Sequence, residues 1–270
     1  MTNFRNYRSL ELDLPPQVTI FQGDNAQGKS NLLEAVYLLA TSRSHRTASE
    51  KELIHWEAAR EGWPFSRLRA EVQGARGGLK IEIAFQAQPR VEAEAETPAL
   101  RLTKRLWING LPRRASELVG QVKVVLFSSL DIELVAGSPA LRRRFLDGTS
   151  CQVDARYLRA LQRYQRVLLQ RNHLLRLIQE DKAVADQLSF WDDELTAVGS
   201  YITFQRQRLV ADLKGRARRL HRELTGGDEE LEVSYLCSLG KEFAREEEAQ
   251  VTFREALAAR RRREIALGMT

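Results

Sequence analysis

The segment 23–30, GDNAQGKS, is the feature that most limits how this 270-residue chain can fold. It matches the phosphate-binding pattern G-x-x-x-x-G-K-[ST], with a β-rich run (VTIFQ) before it and an apolar, helix-like run (NLLEAVYLLAT) after it. Glycine is needed at both ends because the backbone has to fold over the phosphates with its N–H groups pointing inward. The context therefore predicts a nucleoside triphosphate site on a strand–loop–helix unit.

Within this loop, Lys29 is expected to reach the β- and γ-phosphates, and the Ser30 hydroxyl is expected to bind Mg²⁺. The helix that starts near Lys29 adds the positive end of its dipole. The alternative is a fortuitous glycine-rich turn, and the flanking strand and helix patterns argue against it. The expected nucleotide-binding residues are Gly23, Asp24, Asn25, Ala26, Gln27, Gly28, Lys29 and Ser30.

The first half of the chain is predicted to contain a sheet. Alternation and β-rich composition predict strands at 9–14, 18–21, 67–72, 79–85, 100–108 and 122–127. Glycine-containing breaks at 74–78 and 109–110 favour an antiparallel meander of the three middle strands. The acidic run at 86–97 (QAQPRVEAEAET) is expected to be an exposed hairpin tip or a loop.

Long helices are predicted after Ser138-Pro139, which has the form of an N-cap followed by a first-turn proline. An early helix carries one apolar stripe, and a later helix carries a heptad seam. With the short charged link at 180–186, the two predict an antiparallel helical hairpin, followed by a strand at 231–236 and a last helix. The seam consists of Leu188, Trp191, Leu195, Val198, Ile202, Leu209, Leu213 and Leu220.

The formal charge of +6 is concentrated in this helical part. Residues 140–225 contain 17 basic and 10 acidic residues, whereas 226–270 contain 7 and 10. A basic stripe on long helices is typical of proteins that bind phosphate backbones, and a solvated helix face is the alternative. The arginines at 142–144 could contact DNA phosphates, and the alternative is that they form an ion-pair cluster that braces their helix. Arg206 lies on the side of its helix away from the seam and is expected to be exposed, whereas Phe145 is expected to be part of the core. The candidate DNA contacts are Arg142, Arg143, Arg144, Arg216, Arg218 and Arg219.

Composition limits the remaining possibilities. A hydrophobic content of 43% is sufficient for a folded core. The two cysteines form no CxxC pair, which favours a reducing cytoplasm, and the four histidines show no metal-ligand spacing. The longest apolar stretch, 32–40, is interrupted by Glu34 and is shorter than the ~20 residues of a membrane span. We therefore expect an unanchored cytoplasmic protein with no metal other than Mg²⁺.

Taken together, several segments resemble the RecF family of bacterial recombinational-repair ATPases, relatives of the SMC and ABC-type proteins. The resemblance spans the chain and implies an α/β fold: an ABC-type P-loop ATPase head with an antiparallel β meander and an inserted helical hairpin lobe. The implied domains are the head at 1–137, the helical lobe at 138–225 and a return toward the head at 226–270. The stretches that carry it are NFRNY (3–7), GDNAQGKSN with LLEAVYLL, SRSHRT (42–47), LDIELVAGSPALRRRFLD (130–147), YQRVLLQRNHLL (164–175) and WDDELTAVG (191–199).

The resemblance also implies a function. ATP and Mg²⁺ would be the cofactors, and DNA, whether single-stranded, gapped or duplex, would be bound by two copies that associate when ATP binds. That assembly would help to load a recombinase during repair, replication and the SOS response, with mediator proteins of the RecO and RecR type as partners. His45 and Arg46, in the SRSHRT segment, are implied to lie near the nucleotide.

Two departures from the family lead to other hypotheses. Family members begin with a short strand ahead of the NFRN segment and continue past REIALGMT with an ABC signature and a Walker B motif, so the chain is expected to be truncated at both ends. It would then present a P-loop without completing a hydrolytic dimer, as an incomplete, non-cycling form. A further alternative is a self-contained P-loop phosphotransferase for a small molecule, in which Asp131 binds the magnesium ion.

Overall fold

The computed structural model describes residues 1–60, 64–74, 77–89 and 100–270. The chain divides into two compact units, Met1–Ser128 and Ser129–Thr270. The acidic run predicted at 86–97 begins inside a strand, because residues 86–89 pair with residues 100–103. Its remaining part, 90–97, lies outside the described residues.

The first unit is built on a six-stranded antiparallel sheet with the order β2-β1-β3-β4-β5-β6. A helix that follows the phosphate-binding segment, α1, and a short helix, α2, belong to the same unit. The elements are β1 (Thr2–Phe4), β2 (Tyr7–Ser9), α1 (Lys29–Thr41), β3 (Phe65–Gly74), β4 (Gly77–Pro89), β5 (Leu100–Ile108), β6 (Leu111–Pro112) and α2 (Ala115–Leu118), with 3-10 turns at Glu50–Leu53 and Ala58–Arg60.

The predicted meander is confirmed by β3, β4 and β5. Asn109 and Gly110 both have positive φ, 51° and 79°, as the two central residues of a tight β5–β6 turn require. Buried side chains of the sheet pack against one face of α1, which contributes Ala35 and Leu38. The core of this unit is formed by Phe4, Ala35, Leu38, Leu53, Ile54, Ala58, Leu68, Ile81, Ile83, Phe85, Leu106 and Leu118.

Several other strand predictions for the described residues are wrong. Only Ser9 of the run 9–14 is in a strand, and no strand forms at 18–21, 122–127 or 231–236 apart from a single bridge at Val122. Val18 and Val125, for example, are 87% and 97% exposed. A strand needs a continuous neighbouring backbone to complete its hydrogen bonds, and among the described residues these segments find only single backbone contacts, such as Leu10 with Met1 and Val122 with Val119. The strand β1 (Thr2–Phe4) was not among the predicted strands, and it includes the first two residues of the NFRN segment.

The second unit is helical. Its elements are a 3-10 turn (Ser129–Ile132), α3 (Glu133–Ala136), α4 (Pro139–Val153), α5 (Ala155–Gln179), a 3-10 turn (Ala185–Gln187), α6 (Leu188–Leu224) and α7 (Glu246–Leu267). The helices α5 and α6 pack antiparallel, as the Arg163–Glu194 and Arg171–Asp192 ion pairs show. The last helix, α7, packs along both of them.

The predicted heptad seam is buried only in its first part. Leu195 and Ile202 are buried, whereas Leu220 is 53% exposed. The reason is length, because α6 has 37 residues and α5 has 25, so the last turns of α6 extend beyond the helix that they were expected to face. Phe145, expected to be core, is 47% exposed on α4.

Candidate nucleotide site and basic surfaces

The segment 23–30 forms a loop that closes at the first turn of α1. Gly28 has a φ of +108°, and its carbonyl accepts from the backbone N–H groups of Asn31 and Leu32 at 2.8 and 3.0 Å. A Cβ at Gly28 would lie 2.7 Å from the Asn6 amide and from the Tyr7 hydroxyl. The backbone conformation at this position therefore favours glycine, and a Cβ would in addition displace the side-chain ends of Asn6 and Tyr7.

The Lys29 ammonium points back into the loop. Its Nζ donates to the carbonyl oxygens of Gly23 and Asp24, at 2.6 Å each. Residues 24–27 and Ser30 are exposed around it. A chain of phosphates is a stronger acceptor for an ammonium than two neutral carbonyls, because charge-assisted hydrogen bonds are the stronger ones. With Ser30 on the first turn of α1, these residues fit a nucleoside triphosphate with Mg²⁺.

Behind the loop, α1 buries a carboxylate. The Glu34 side chain is fully buried and accepts two hydrogen bonds from the Arg5 guanidinium, at 2.9 and 2.7 Å, and one from the Ser44 hydroxyl at 2.5 Å. Arg46 lies 3.5 Å away. Burial by itself would raise the pKa of Glu34, but the hydrogen bonds from Arg5 and Ser44 and the charges of Arg5 and Arg46 lower it overall.

Asn6 links the β1–β2 turn to the loop. Its Nδ2 donates to the Gln27 carbonyl at 3.1 Å, and its Oδ1 accepts from Asn31 Nδ2 at 2.8 Å. The Oδ1 of Asn31 accepts from Arg46 Nη1 at 2.7 Å, so Arg46 lies next to the first turn of α1. His45 instead packs edge-on against Tyr37, with 5.3 Å between the ring centroids.

The sequence did not predict roles for Arg5, Asn6 and Glu34. Arg5 and Asn6 lie in the NFRNY segment, which was noticed only as part of the resemblance. Glu34 is the only acid in an otherwise apolar helix, LLEAVYLL, and such an acid needs a cationic or hydrogen-bonding partner. That interruption is the signal that could have found the cluster.

Asp131, the alternative magnesium-binding acid, lies in the 3-10 turn Ser129–Ile132 of the second unit. The strand predicted just before it does not form. Among the described residues, no group of three or more His, Cys, Asp or Glu side chains could hold a metal ion.

The arginines of α4 have different environments. Arg142 donates to the carbonyls of Leu134 and Gly137 at 3.1 and 3.0 Å, so it caps the end of α3 rather than joining an ion-pair cluster. Arg143 and Arg144 are exposed.

On α6, Arg206 is not exposed as expected. It forms two hydrogen bonds of 2.8 Å with Asp147, which also accepts from the Tyr157 hydroxyl. Although burial opposes the charged form, the hydrogen bond and the charge of Asp147 raise the pKa of Arg206. This guanidinium therefore joins α4 to α6 and is not free to bind DNA.

The other candidate contacts on α6 are exposed, but two of them have acidic neighbours. Arg218 pairs with Glu230, and Arg219 lies 3.9 Å from Glu223. Within Ser129–Thr270, all of which the structure describes, Arg216 forms no ion pair. Arg216, Arg218 and Arg219 are thus all exposed on α6. Carboxylates offset part of the charge of Arg218 and Arg219 but not that of Arg216.

Comparison with known proteins decides the family. The RecF protein of Chloroflexus aurantiacus is 40% identical over 277 residues, which cover 100% of this chain and 70% of that protein. The chain belongs to the RecF family of DNA replication and repair proteins. The RecF protein of Herpetosiphon aurantiacus is 46% identical over 240 residues, 87% of this chain and 62% of its own length. A family model described as an AAA domain matches residues 1–97.

A solved structure of the recombination mediator RecF with ATP, in the RecFOR pathway, superimposes with a TM-score of 0.84 and 30% identity, over 100% of this chain and 68% of that one. A second RecF structure, with the nucleotide ATPrS, gives 0.80 and 28%. The match confirms the predicted fold class, an ABC-type α/β ATPase head with an antiparallel meander and a helical lobe. In the described part of this RecF chain, no helix is long and apolar enough to cross a membrane.

Proposed function

We propose that this RecF chain binds ATP with Mg²⁺ at 23–30 and binds DNA through exposed arginines of its second unit. The nucleotide assignment rests on one observation. The Lys29 ammonium lies inside the loop, and the last glycine of the loop, Gly28, packs closely against the side chains of Asn6 and Tyr7. The solved RecF structure that is similar over the whole chain contains ATP, which supports the choice of nucleotide.

The residues of the loop divide the work of binding. Lys29 exchanges the carbonyls of Gly23 and Asp24 for the β- and γ-phosphates, and the amides at the start of α1 face the same charge. Ser30 holds the magnesium ion, which neutralises phosphate charge when it is bound. Asn6 and Asn31 keep the loop against the β1–β2 turn, so that its N–H groups are positioned before the nucleotide arrives.

For DNA, the proposal uses exposed cations rather than base-reading groups. Arg143, Arg144 and Arg216 are exposed on α4 and α6, in the section of the chain with 17 basic and 10 acidic residues. Contacts of this kind neutralise backbone phosphates and release counterions. We extend the proposal to ATP-dependent association of two copies on single-stranded, gapped or duplex DNA, with RecO- and RecR-type partners, to help load a recombinase.

Equilibrium binding of a fluorescent ATP analogue in the presence of Mg²⁺ tests the nucleotide site. Lys29→Ala is expected to abolish measurable retention, whereas Lys51→Ala, which removes an exposed lysine of the same unit, is expected to have no effect. Equal affinity of the native and Lys29→Ala chains would contradict the assignment.

Salt titrations of DNA binding test the second part. We expect the logarithm of the affinity to fall linearly with the logarithm of salt concentration, and Arg216→Ala to reduce that slope by about 0.9. Sedimentation with and without ATP then measures the association of two copies, which Lys29→Ala should prevent. A native chain with no salt-dependent DNA affinity would exclude the DNA proposal.

A further inference from the structure

The chain turns back along α6 after that helix ends at Leu224. Near the middle of the helix, the Gln207 side chain donates to the Phe243 carbonyl at 2.8 Å and accepts from the Phe243 amide at 3.0 Å. Near the end of the helix, Lys214 lies 3.5 Å from Glu232. The segment between them therefore runs antiparallel to the last turns of α6, with Phe243 buried at its far end.

The acidic residues of this segment face the basic side chains of one helix stripe. Glu232 lies beside Lys214, Glu230 pairs with Arg218, and a carboxylate oxygen of Glu229 lies 3.6 Å from the imidazole Nε2 of His221. The three helix positions are four and three residues apart, so they lie on the same side of α6. We call Lys214, Arg218 and His221 the covered stripe, and 228–232 (DEELE) the acidic cover.

The opposite side of α6 has no such cover. Arg208 and Arg216 point away from the covered stripe, since successive residues of a helix are rotated by about 100°. Within Ser129–Thr270, which is described throughout, neither residue forms an ion pair. The same helix therefore carries one set of basic side chains with carboxylate neighbours and another set, Arg208 and Arg216, without them, and the two sets can be compared directly.

The pairs of the cover are exposed and therefore replaceable. The carboxylates of Glu229, Glu230 and Glu232 are 72%, 67% and 78% exposed. Ion pairs in such positions add little to folding stability and are weakened by salt. A DNA backbone presents phosphates at much higher charge density, so it can take the place of the carboxylates without unfolding the helix.

We propose that the acidic cover occupies the covered stripe of α6 in the absence of DNA and that DNA phosphates displace it. The inference rests on the proposed DNA binding and specifies its regulation. Because the acidic cover competes with DNA for the covered stripe, it lowers DNA affinity. Arg208 and Arg216, which the cover does not reach, therefore contact DNA first. DNA binding then frees the carboxylates and adds the covered stripe to the contact surface.

Fluorescence anisotropy with labelled duplex DNA, at several salt concentrations, tests the proposal in the full chain. The cover variant carries Glu229→Gln, Glu230→Gln and Glu232→Gln. The control variant carries Glu242→Gln, Glu247→Gln and Glu255→Gln, which gives the same change in net charge at exposed positions of the same unit. We expect the cover variant to bind several-fold more tightly, with a salt slope steeper by about 1–2, and the control to keep the native slope.

Two arginine substitutions sharpen the result. Arg218→Ala should change native DNA affinity little, because Glu230 already neutralises that side chain, but it should remove much of the gain in the cover variant. Arg216→Ala should reduce affinity equally in both backgrounds. Equal salt slopes for the cover and control variants, or the same loss from Arg218→Ala in both backgrounds, overturn the proposal.

Heparin chromatography separates this inference from the proposed function. Heparin is a polyanion that detects accessible cations whether or not the chain binds DNA. If neither the native chain nor the cover variant binds DNA, the DNA function fails, and later elution of the cover variant than of the control still supports the cover. If native DNA binding is present but the cover and control variants elute and bind alike, the cover fails and the function stands.

Discussion

The carboxylate of Glu34 and the guanidinium of Arg5 form a two-point ion pair, with N–O distances of 2.9 and 2.7 Å, between the first helix and the β1–β2 turn. The Glu34 side chain is fully buried. The neighbouring residue Asn6 contacts the loop at Gln27, so the ion pair fixes the turn from which that contact is made. The pair therefore connects the stability of the first unit to the geometry of the nucleotide site.

Glu34→Gln should destabilise the first unit by about 3 kcal/mol at neutral pH, because it removes the buried carboxylate that accepts two hydrogen bonds from Arg5 and leaves that guanidinium only the more distant Glu52 among its charged neighbours in the described residues. Hydrogen exchange of the α1 amides in increasing urea measures this change. The exposed pair Arg8–Glu57 supplies the control, and Glu57→Gln should cost less than about 1 kcal/mol. Equal losses for the two variants would contradict the buried role.

The same carboxylate predicts a pH dependence. Because the pKa of Glu34 is lower in the folded chain, its contribution to stability is fully present above the ordinary glutamate pKa of about 4.3. The contribution is lost as the pH falls through the folded pKa. The stability difference between the native chain and Glu34→Gln should therefore shrink below about pH 4.3, and a constant difference across that range would show that Glu34 is not the titrating group.

Substitutions of Asn6 test how the turn supports the loop. Asn6→Ala removes the hydrogen bonds to Gln27 and from Asn31, and should weaken ATP binding about five- to tenfold. Asn6→Asp keeps the acceptor for Asn31 but places a negative charge beside the phosphates. Its loss should be larger at low salt and should approach that of Asn6→Ala at high salt, because salt screens exposed charges. Nucleotide titrations at two ionic strengths measure both effects, and salt-independent losses in both variants would contradict the repulsion.

The sequence was informative where the information is local. The phosphate-binding loop follows from eight adjacent residues, and the β5–β6 turn follows from Asn109-Gly110. Partners distant in sequence were not predictable in this way. Arg5 and Glu34 are 29 residues apart, and Arg206 and Asp147 are 59 apart, so neither pair shows a characteristic spacing.

The wrong strand predictions have a related cause. Residues 18–21 and 122–127 have the composition of buried strands, and that composition reports side-chain preference, not the presence of a partner. In the described residues neither segment pairs into a sheet. Likewise, the heptad seam shows which side of α6 is apolar, but it does not show how much of α6 the facing helix covers.

A buried arginine joins the three long helices of the second unit. Arg171 has no exposed side-chain surface and donates to Asp192 on α6 at 2.8 Å and to Glu264 on α7 at 2.7 Å. Arg171→Met should destabilise this unit by about 3–5 kcal/mol, since it leaves the buried carboxylate of Glu264 without the guanidinium that donates to it, whereas Asp192 keeps Arg261 as a partner. Adding Glu264→Gln should recover part of the loss.

Urea denaturation followed by hydrogen exchange of the α5 amides measures that effect. Arg163 provides the matched control, because it makes the same kind of contact, with Glu194, at an exposed position on the same helix. Arg163→Met should cost less than about 1 kcal/mol. Equal losses of stability from Arg171→Met and Arg163→Met would show that burial does not make the Arg171 ion pairs contribute more to stability than the exposed Arg163 pair.

Two glycines inside α6 should respond in opposite directions to the same substitution. A Cβ at Gly199 would lie 2.5 and 2.7 Å from the Phe253 ring of α7, whereas a Cβ at Gly215 would have no neighbour within 4 Å. Alanine is favoured over glycine in a helix by about 1 kcal/mol. Gly215→Ala should therefore stabilise the second unit by about that amount.

At Gly199 the same helix preference is opposed by packing. Phe253 packs against Leu195, Val167 and Leu257, so its ring cannot move away from the new methyl group without disturbing the contacts between the helices. Overpacking of this kind costs about 1–3 kcal/mol, and Gly199→Ala should be destabilising in urea denaturation. Adding Phe253→Leu makes room for the methyl group and should restore part of the loss. If Gly199→Ala stabilises the unit as Gly215→Ala does, close approach of α6 and α7 is not the reason for glycine at this position.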